Sequence, residues 1–213
     1  MSHAPTRVQR SSYRHGDLRQ ALLEAGVELA RAGGPDAVVL REATRRAGVS
    51  PNAAYRHFAD RTALVNAVSD SALRSAAAAI EAEWDRTPAS LDAVTQAHAH
   101  LRAVGVGYLQ FARDEPGLFR TAFTVPADLA TALSPDKAGP GGRTPFELLG
   151  VALDELVAAG ALPEERRPGA ELLAWSSVHG LAMLFLEGPL RDLDDDSLTV
   201  TASRLIDMVD RGL

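Results

Sequence analysis

The sequence contains no cysteine, a single lysine and no long hydrophobic run. Without cysteine, the chain can form no disulfide, no zinc–thiolate site and no thiol nucleophile. No stretch reaches the ~20 apolar residues that a membrane-spanning helix needs, and the first 17 residues hold no apolar core of signal-peptide length. The Arg- and Ala-rich composition is typical of a GC-rich bacterial genome. We therefore expect a cytoplasmic bacterial protein with no membrane partner.

The net charge of −6 hides an uneven distribution of charge along the chain. Residues 1–64 contain ten Arg against six Asp and Glu, whereas residues 65–213 contain 12 basic against 22 acidic residues. A basic first third followed by an acidic remainder indicates an N-terminal unit that binds a polyanion.

Apolar residues recur at spacings of three and four, and no β-type alternation is present, so the pattern predicts an all-α fold. Residues 1–14 are expected to form a flexible basic arm, residues 15–64 one domain and residues 65–213 a second domain. A Pro/Gly-rich loop is predicted over residues 126–145. Helices are predicted over residues 17–32, 40–47, 51–58, 60–84, 91–113, 146–159, 168–186 and 197–211, with a short connecting helix after Pro116.

The stretch "GVSPNAAYRHF" (residues 48–58) predicts a turn followed by a short helix. Gly48 suits the end of one helix, and Ser50 and Pro51 suit the N-cap and first position of the next. If Ala54 and Phe58 face inward, Asn52, Arg56 and the tips of Tyr55 and His57 face outward. Such side chains grip phosphate oxygens, and residues near the helix N-terminus reach base edges. The pattern predicts a helix-turn-helix that binds double-stranded DNA, although such a motif can also serve only for packing.

"LREATRRAGVSPNAAYRHFADRTALVNAV" (residues 40–68) resembles the DNA-binding region of the tetracycline-repressor-type (TetR) regulators. The shared marks are the Gly-Val-Ser turn, the Tyr-x-His-Phe of the third helix and the Arg-x-Ala-Leu that opens the fourth. With the first helix, the resemblance covers about residues 15–68. It implies DNA contacts from the start of the second helix, the third helix and the start of the fourth. Carried over by position, the implied DNA-binding residues are Arg41, Pro51, Asn52, Ala53, Tyr55, His57 and Arg61.

"LLAWSSVHGLAMLFLEGPL" (residues 172–190) is similar to the C-terminal regulatory domain of one branch of this family, marked by Trp, His and Gly. Trp175, His179 and Gly180 carry that similarity. It implies a ligand-binding and dimerisation domain, and therefore an Ω-shaped homodimer.

The predicted helix over residues 91–113 is apolar around most of its circumference, which indicates that other helices surround it. Two glycines, Gly105 and Gly107, leave volume beside it. The ligand-binding residues that we predict from the facing helices are His98, Gly105, Tyr108, Phe119, Phe123, Trp175, His179 and Met183. Because Arg102 is the only basic residue on these faces, we expect a neutral or cationic hydrophobic ligand. Alternatively, the same aromatic side chains fill a solid core.

These observations predict a ligand-responsive transcriptional regulator, a repressor that a small hydrophobic effector releases from a palindromic operator. It would act in the cytoplasm at the nucleoid. We expect no cofactor, no metal site and no catalytic residue. Two alternatives remain open: a DNA-binding dimer without a small-molecule effector, and an enzyme with an accessory helix-turn-helix.

Overall fold

The structure is a computed structural model that describes residues 15–125 and 131–213. The predicted basic arm, residues 1–14, lies outside the described residues, as do residues 126–130 of the predicted loop. The described residues form helices and turns and contain no strand, which confirms the all-α prediction. The helices are α1 (His15–Gly33), α2 (Leu40–Arg46), α3 (Pro51–Ala54), α4 (Arg61–Trp84), α5 (Ala93–Asp114), α6 (Pro116–Ala122), α7 (Pro145–Ala158), α8 (Ala170–Leu186) and α9 (Asp195–Gly212).

Capping residues that can be recognised in the sequence mark the starts of several helices. Asp60, Asp92 and Asp194 each accept a hydrogen bond from the backbone N–H three residues later, and so cap α4, α5 and α9. Thr144 and Glu147 form a reciprocal capping box at the start of α7. These caps satisfy backbone donors that the first helical turn leaves without partners.

Helix α3 is shorter than the predicted helix over residues 51–58. It ends at Ala54, and the chain continues through turns to His57. The amide of Phe58 still donates to the carbonyl of Ala54 at 3.0 Å, so the side chains of this turn keep nearly helical positions. The predicted loop also differs, because residues 131–133 and 135–137 form short 3-10 turns.

Helix α5 forms the centre of the C-terminal part and contacts α4, α6, α7, α8 and α9. Gly107 allows the close approach of α4, because a Cβ at this position would lie 2.6 Å from the Cα of Ile80. Helix α1 packs on α2, α3, α4 and α6. Helix α4 therefore belongs to both halves, since it packs on α1 at one end and on α5 and α7 further along.

Polar contacts hold the segment after residue 131 against α4. Arg74 donates to the carbonyl of Asp136 at 2.8 Å, and the amide of Gly141 donates to both carboxylate oxygens of Glu81 at 3.1 Å. The Lys137 ammonium lies 3.9 Å from a carboxylate oxygen of Asp70. Residues 131–143 thus form one wall of the C-terminal part, and charged side chains of α4 hold them in place.

Candidate DNA-binding face and ligand cavity

The turn between α2 and α3 has the geometry of a helix-turn-helix. Gly48 has a φ of 67°, a left-handed conformation that favours glycine. The amide of Val49 donates to the carbonyl of Thr44 at 3.2 Å, which closes the turn. The Ser50 hydroxyl accepts from the amide of Ala53 at 3.4 Å. The turn therefore fixes the orientation of α3 relative to α2.

Two inward side chains anchor the end of α3. Ala54 and Phe58 are buried, and the guanidinium of Arg19 on α1 lies 5.2 Å from the centre of the Phe58 ring. This cation–π contact helps to hold α3 against α1. The opposite side of the motif is left free to face outward.

The structure places the seven residues with implied DNA contacts around this outward face. Tyr55 is 58% exposed, Ala53 and His57 are half-buried, and Arg41, Pro51 and Asn52 are exposed. Arg61 differs, because its guanidinium donates to the carbonyls of Val38 at 2.9 Å and Pro35 at 2.6 Å. Within the described residues, Arg61 thus braces the loop before α2, so its implied phosphate contact would have to share or replace these hydrogen bonds.

The other arginines around this face differ in how they are paired. Arg45 and Arg46 both bond Glu42, and these hydrogen bonds lower the pKa of the Glu42 carboxyl to about 2. By contrast, Arg41 and Arg56 have no hydrogen-bond or ion-pair partner within the part of the chain that the structure describes. Arg56 is exposed on the outward face, as the sequence pattern predicted, although it is not among the residues that the family resemblance implies.

A cavity of about 720 Å³ lies among α4 to α9 and the segment after residue 131. Its walls are mainly aliphatic and aromatic, and no Asp or Glu of the described residues lines it. The lining side chains that carry a nitrogen or oxygen are Tyr108, Lys137, Trp175, Ser176 and His179. An apolar cavity with a few polar groups is typical of small-molecule sites.

Three of these polar side chains form a hydrogen-bonded chain. The indole N–H of Trp175 lies 3.3 Å from the hydroxyl of Tyr108, which lies 2.8 Å from Nδ1 of His179. Because an indole can only donate, the Tyr108 oxygen accepts from Trp175. Burial raises the pKa of the Tyr108 hydroxyl and lowers the pKa of the His179 imidazole. Both groups are therefore held in their neutral forms at pH 7.

Five of the eight predicted ligand-binding residues line the cavity: Gly105, Tyr108, Phe123, Trp175 and His179. The structure thus brings together residues from α5, from the end of α6 and from α8. Phe146 at the start of α7 also lines the cavity, with its ring edge-on to Trp175 at 6.2 Å. Phe146 was outside the predicted set.

The structure places the other three predicted residues outside the lining. Phe119 is completely buried behind it, with its ring centre 5.5 Å from Tyr108 and 5.7 Å from His179. His98 turns toward α9, where its Nδ1 lies 2.7 Å from a carboxylate oxygen of Asp210. Met183 is half-buried one turn beyond His179 and packs on the core. The face of α5 that carries His98 is covered by α9, which the sequence pattern alone could not show.

Lys137 is the polar lining residue that sequence reasoning missed. It is buried, and its ammonium donates to the carbonyl of Thr131 and lies 3.9 Å from Asp70. The prediction considered basic residues only on the faces of the predicted helices, where Arg102 was the one found, so it did not include Lys137 from the segment after residue 131. Arg102 pairs with Asp207 on α9 instead, at 2.5 Å. The one available signal was that Lys137 is the only lysine in a chain whose other basic residues are arginine.

The described residues contain no group of three His, Asp or Glu side chains that could hold a metal ion. None of the described helices is long and apolar enough to cross a membrane.

Comparison with solved structures identifies the same fold in other proteins. A protein of unknown function from Rhodococcus sp. RHA1 is 27% identical, with a TM-score of 0.70, covering 96% of this chain and 99% of that chain. RolR in complex with resorcinol is 16% identical, with a TM-score of 0.59 and coverages of 91% and 88%. A single-residue variant of TetR from Acinetobacter baumannii AYE in complex with minocycline is 16% identical, with a TM-score of 0.56 and coverages of 90% and 93%. No curated protein sequence matches the chain.

Two family models match the chain, one for each half. Residues 22–68 match the model of bacterial regulatory proteins of the tetR family, and residues 101–209 match the tetracyclin repressor-like C-terminal domain. The first match contains the helix-turn-helix, and the second contains most of the cavity lining. The chain therefore belongs to the TetR family of transcriptional regulators, with an N-terminal DNA-binding domain and a C-terminal ligand-binding domain.

Proposed function

We propose that this protein is a repressor that binds a palindromic operator as a homodimer and is released by a small hydrophobic effector. The observation that carries the proposal is the shared helix α4. Arg61 at its start belongs to the helix-turn-helix unit, whereas Leu73 and Ile80 further along line the cavity. A molecule in the cavity thus contacts the same rigid helix that supports the DNA-binding face.

The DNA-binding role of residues 15–64 is supported by the exposure and charge of the face around α3. Tyr55, Asn52 and Arg41 project from it, and Arg41 has no partner among the described residues. Phosphate contacts of this kind release counterions, so operator binding should weaken steeply with salt. A regulator of this kind would act in the bacterial cytoplasm, at the nucleoid.

The homodimer is supported by apolar side chains that one chain leaves uncovered on α8 and α9. Leu173 is 63% exposed and Leu184 43% exposed on α8, and Met208 is 59% exposed on α9. Gly180 lies between the two leucines, and a Cβ there would meet no other atom within 4 Å. Packing both helices against their symmetry mates would bury these side chains in a four-helix interface.

Effector binding by residues 65–213 is supported by the cavity and by two proteins of the same fold, which are complexes with resorcinol and with minocycline. An effector acts by its differential affinity for two conformations of the protein. Occupying the cavity would favour the arrangement of α4 that fits the operator less well. The result is loss of DNA affinity without any chemical step.

The test of DNA binding begins with a genomic footprint of the purified protein, followed by fluorescence anisotropy on the sequence found. Tyr55→Phe should lower affinity about tenfold on every sequence, because a hydrogen bond to a charged phosphate is lost. Arg41→Ala should lower affinity and also relax base preference at one position of each half-site. Arg86→Ala, which removes an exposed charge just after the end of α4 opposite the helix-turn-helix, is the matched control and should bind as wild type. Unchanged affinity in both test variants would reject this DNA-binding face.

The test of effector response is a screen of apolar small molecules for release of the operator complex. A screen in which no molecule binds the protein and none releases DNA would favour the alternative of a dimer without an effector. Binding in the cavity without release would also reject the repressor mechanism.

A further inference from the structure

The polar groups of the cavity differ in whether their hydrogen-bonding capacity is already used. Trp175 uses its single N–H in the bond to Tyr108, the Ser176 hydroxyl donates its proton to the carbonyl of Leu173 at 3.1 Å, and the Lys137 ammonium donates one of its three N–H groups to the carbonyl of Thr131. His179 uses only Nδ1, in its contact with Tyr108. Its second ring nitrogen, Nε2, has no hydrogen-bond partner among the described residues.

Nε2 of His179 is accessible rather than enclosed. In the described part of the chain, no buried side-chain nitrogen or oxygen lacks a hydrogen-bond partner. An atom without a partner must therefore have open space beside it. His179 lines the cavity, and its ring is otherwise packed against Phe119 at 5.7 Å and Phe123 at 4.8 Å between ring centres. Because His179 lines the cavity, we assign the cavity as the open space beside Nε2.

The hydrogen-bonded chain also determines which nitrogen of His179 carries the proton. Tyr108 is only 4% exposed, and its oxygen already accepts from the indole of Trp175. The Tyr108 proton therefore needs an acceptor, and Nδ1 of His179 is the one within reach. A neutral imidazole with an unprotonated Nδ1 carries its proton on Nε2. His179 consequently presents an N–H donor to the cavity.

The charged groups near the cavity disfavour the binding of a ligand that carries a net charge. The Lys137 ammonium repels a cation, while its nearest carboxylate, that of Asp70 at 3.9 Å, offsets the attraction for an anion. The rest of the lining is apolar, so a charged ligand would lose its hydration without a matching partner. The cavity is thus best matched by an uncharged molecule.

We infer that the effector is an uncharged, largely aromatic molecule with a carbonyl-type oxygen that accepts a hydrogen bond from Nε2 of His179. Tyr108 and Trp175 act as positioning residues, because they hold the imidazole in the donating tautomer. The aromatic rings of Phe123, Phe146 and Trp175 provide the apolar contacts. This inference rests on the proposed function, since it names the class of effector for the same cavity.

Four naphthalene derivatives of nearly equal size test the inference by isothermal titration calorimetry. Three of them are 2-acetylnaphthalene, which carries the acceptor, 2-ethylnaphthalene, which lacks it, and 1-(2-naphthyl)ethylamine, which is a cation at pH 7.5. The ketone should bind wild type at least about fivefold more tightly than the hydrocarbon, which corresponds to one hydrogen bond. It should also bind more tightly than the amine. 2-Naphthoate, the anionic analogue, should bind more weakly than the ketone.

Variants of His179 link the selectivity to Nε2. In His179→Phe the ring remains but the donor is lost, so the ketone and the hydrocarbon should bind equally. His179→Gln restores an N–H donor and should recover part of the preference. Tyr108→Phe should reduce the preference without weakening the hydrocarbon. The ratio of the two affinities within one variant is independent of small changes in stability, and circular dichroism verifies that each variant is helical.

Failure of this inference can be distinguished from failure of the proposed function. Equal binding of the ketone and the hydrocarbon to wild type, or a preference that survives in His179→Phe, would overturn the inference and leave the cavity as a ligand site. Tightest binding by the amine or by the naphthoate would overturn the uncharged class. Binding of none of the four probes would reject the cavity as a ligand site, and the inference with it.

Discussion

Gly105 illustrates how one small residue can keep the cavity open. It lines the cavity on α5, and a Cβ at this position would lie 3.0 Å from Cγ1 of Ile206 on α9. A larger side chain has no room toward α9 and must extend into the cavity. Gly105→Leu should therefore fold, bind operator like wild type and lose its response to an effector. Fluorescence anisotropy of the operator complex, with and without effector, measures both properties.

The matched control for this substitution is Gly150→Leu on α7. The nearest atoms to a Cβ there are the ends of Glu171 and Arg167, at 3.7 and 3.9 Å, which are ordinary contacts. This variant should respond to effector normally. A normal response in Gly105→Leu would place the effector elsewhere.

His179 makes the stability of the protein depend on pH. Burial lowers the pKa of its imidazole from the ordinary value of 6.5. As the pH falls through 6.5, the unfolded chain takes up a proton that the folded protein does not, so the free energy of unfolding decreases. His179→Phe has no such proton. Urea denaturation of both proteins at pH 7.5 and pH 5 should show a larger loss of stability in wild type, and an equal loss in the two proteins would contradict the assignment of a neutral, desolvated His179.

At the scale of elements, the contact between α1 and α6 joins the two halves of the chain. A Cβ at Gly117 would lie 2.2 Å from the carbonyl oxygen of Ala30 and 2.6 Å from that of Arg31. Beside it, the Arg31 guanidinium donates to both carboxylate oxygens of Glu115, at 2.8 and 3.0 Å. Helix α6 also carries the buried Phe119 and ends beside the cavity at Phe123. It thus reaches from the cavity to the end of α1.

Gly117→Ala should push α6 away from the backbone of α1. Backbone cannot move aside as a flexible side chain can, so we expect a loss of about 1–3 kcal/mol in the free energy of unfolding. Gly150→Ala, which adds the same methyl group in a helix without a close contact, should gain up to about 1 kcal/mol. Urea denaturation compares the two. Equal stability of the variants would show that α1 and α6 are not tightly packed in solution.

The helices also show which features of the structure could be predicted from the sequence and which could not. Helix positions followed from periodicity and capping residues, and the outward face of α3 followed from two inward residues, Ala54 and Phe58. The position of Lys137 could not be predicted, because it depends on how a Pro/Gly-rich segment packs against Asp70 and Arg74 on another element. His98 was misplaced for a related reason: helical spacing gives the face of a side chain but not the helix that covers it.

At the scale of the whole molecule, dimerisation should depend on the exposed apolar side chains of α8 and α9. The double variant Leu173→Glu/Met208→Glu places charges on both helices without disturbing the core of one subunit, since both positions are more than half exposed. We expect a monomer by light scattering, with operator affinity reduced about 100-fold or more because two linked DNA-binding domains bind far better than one.

Leu133→Glu is the control for the dimer experiment, because Leu133 is 46% exposed in the segment after residue 131, which packs mainly on α4 and α7. It should remain dimeric. A dimeric double variant would place the subunit interface on another surface.

The close packing of Gly107 against Ile80 also limits how α4 can move. Backbone lies against backbone at this point, so we expect α4 to tilt about this contact rather than to slide along α5. Arg61 lies 19 residues before Ile80, which is about 28 Å along the helix axis. A tilt of about 5° would move that end of α4 by about 2.5 Å, which is comparable to the length of a hydrogen bond. Under the proposed function, a ligand that shifts α4 only slightly at the cavity would therefore move the DNA-binding face out of hydrogen-bonding distance of the operator.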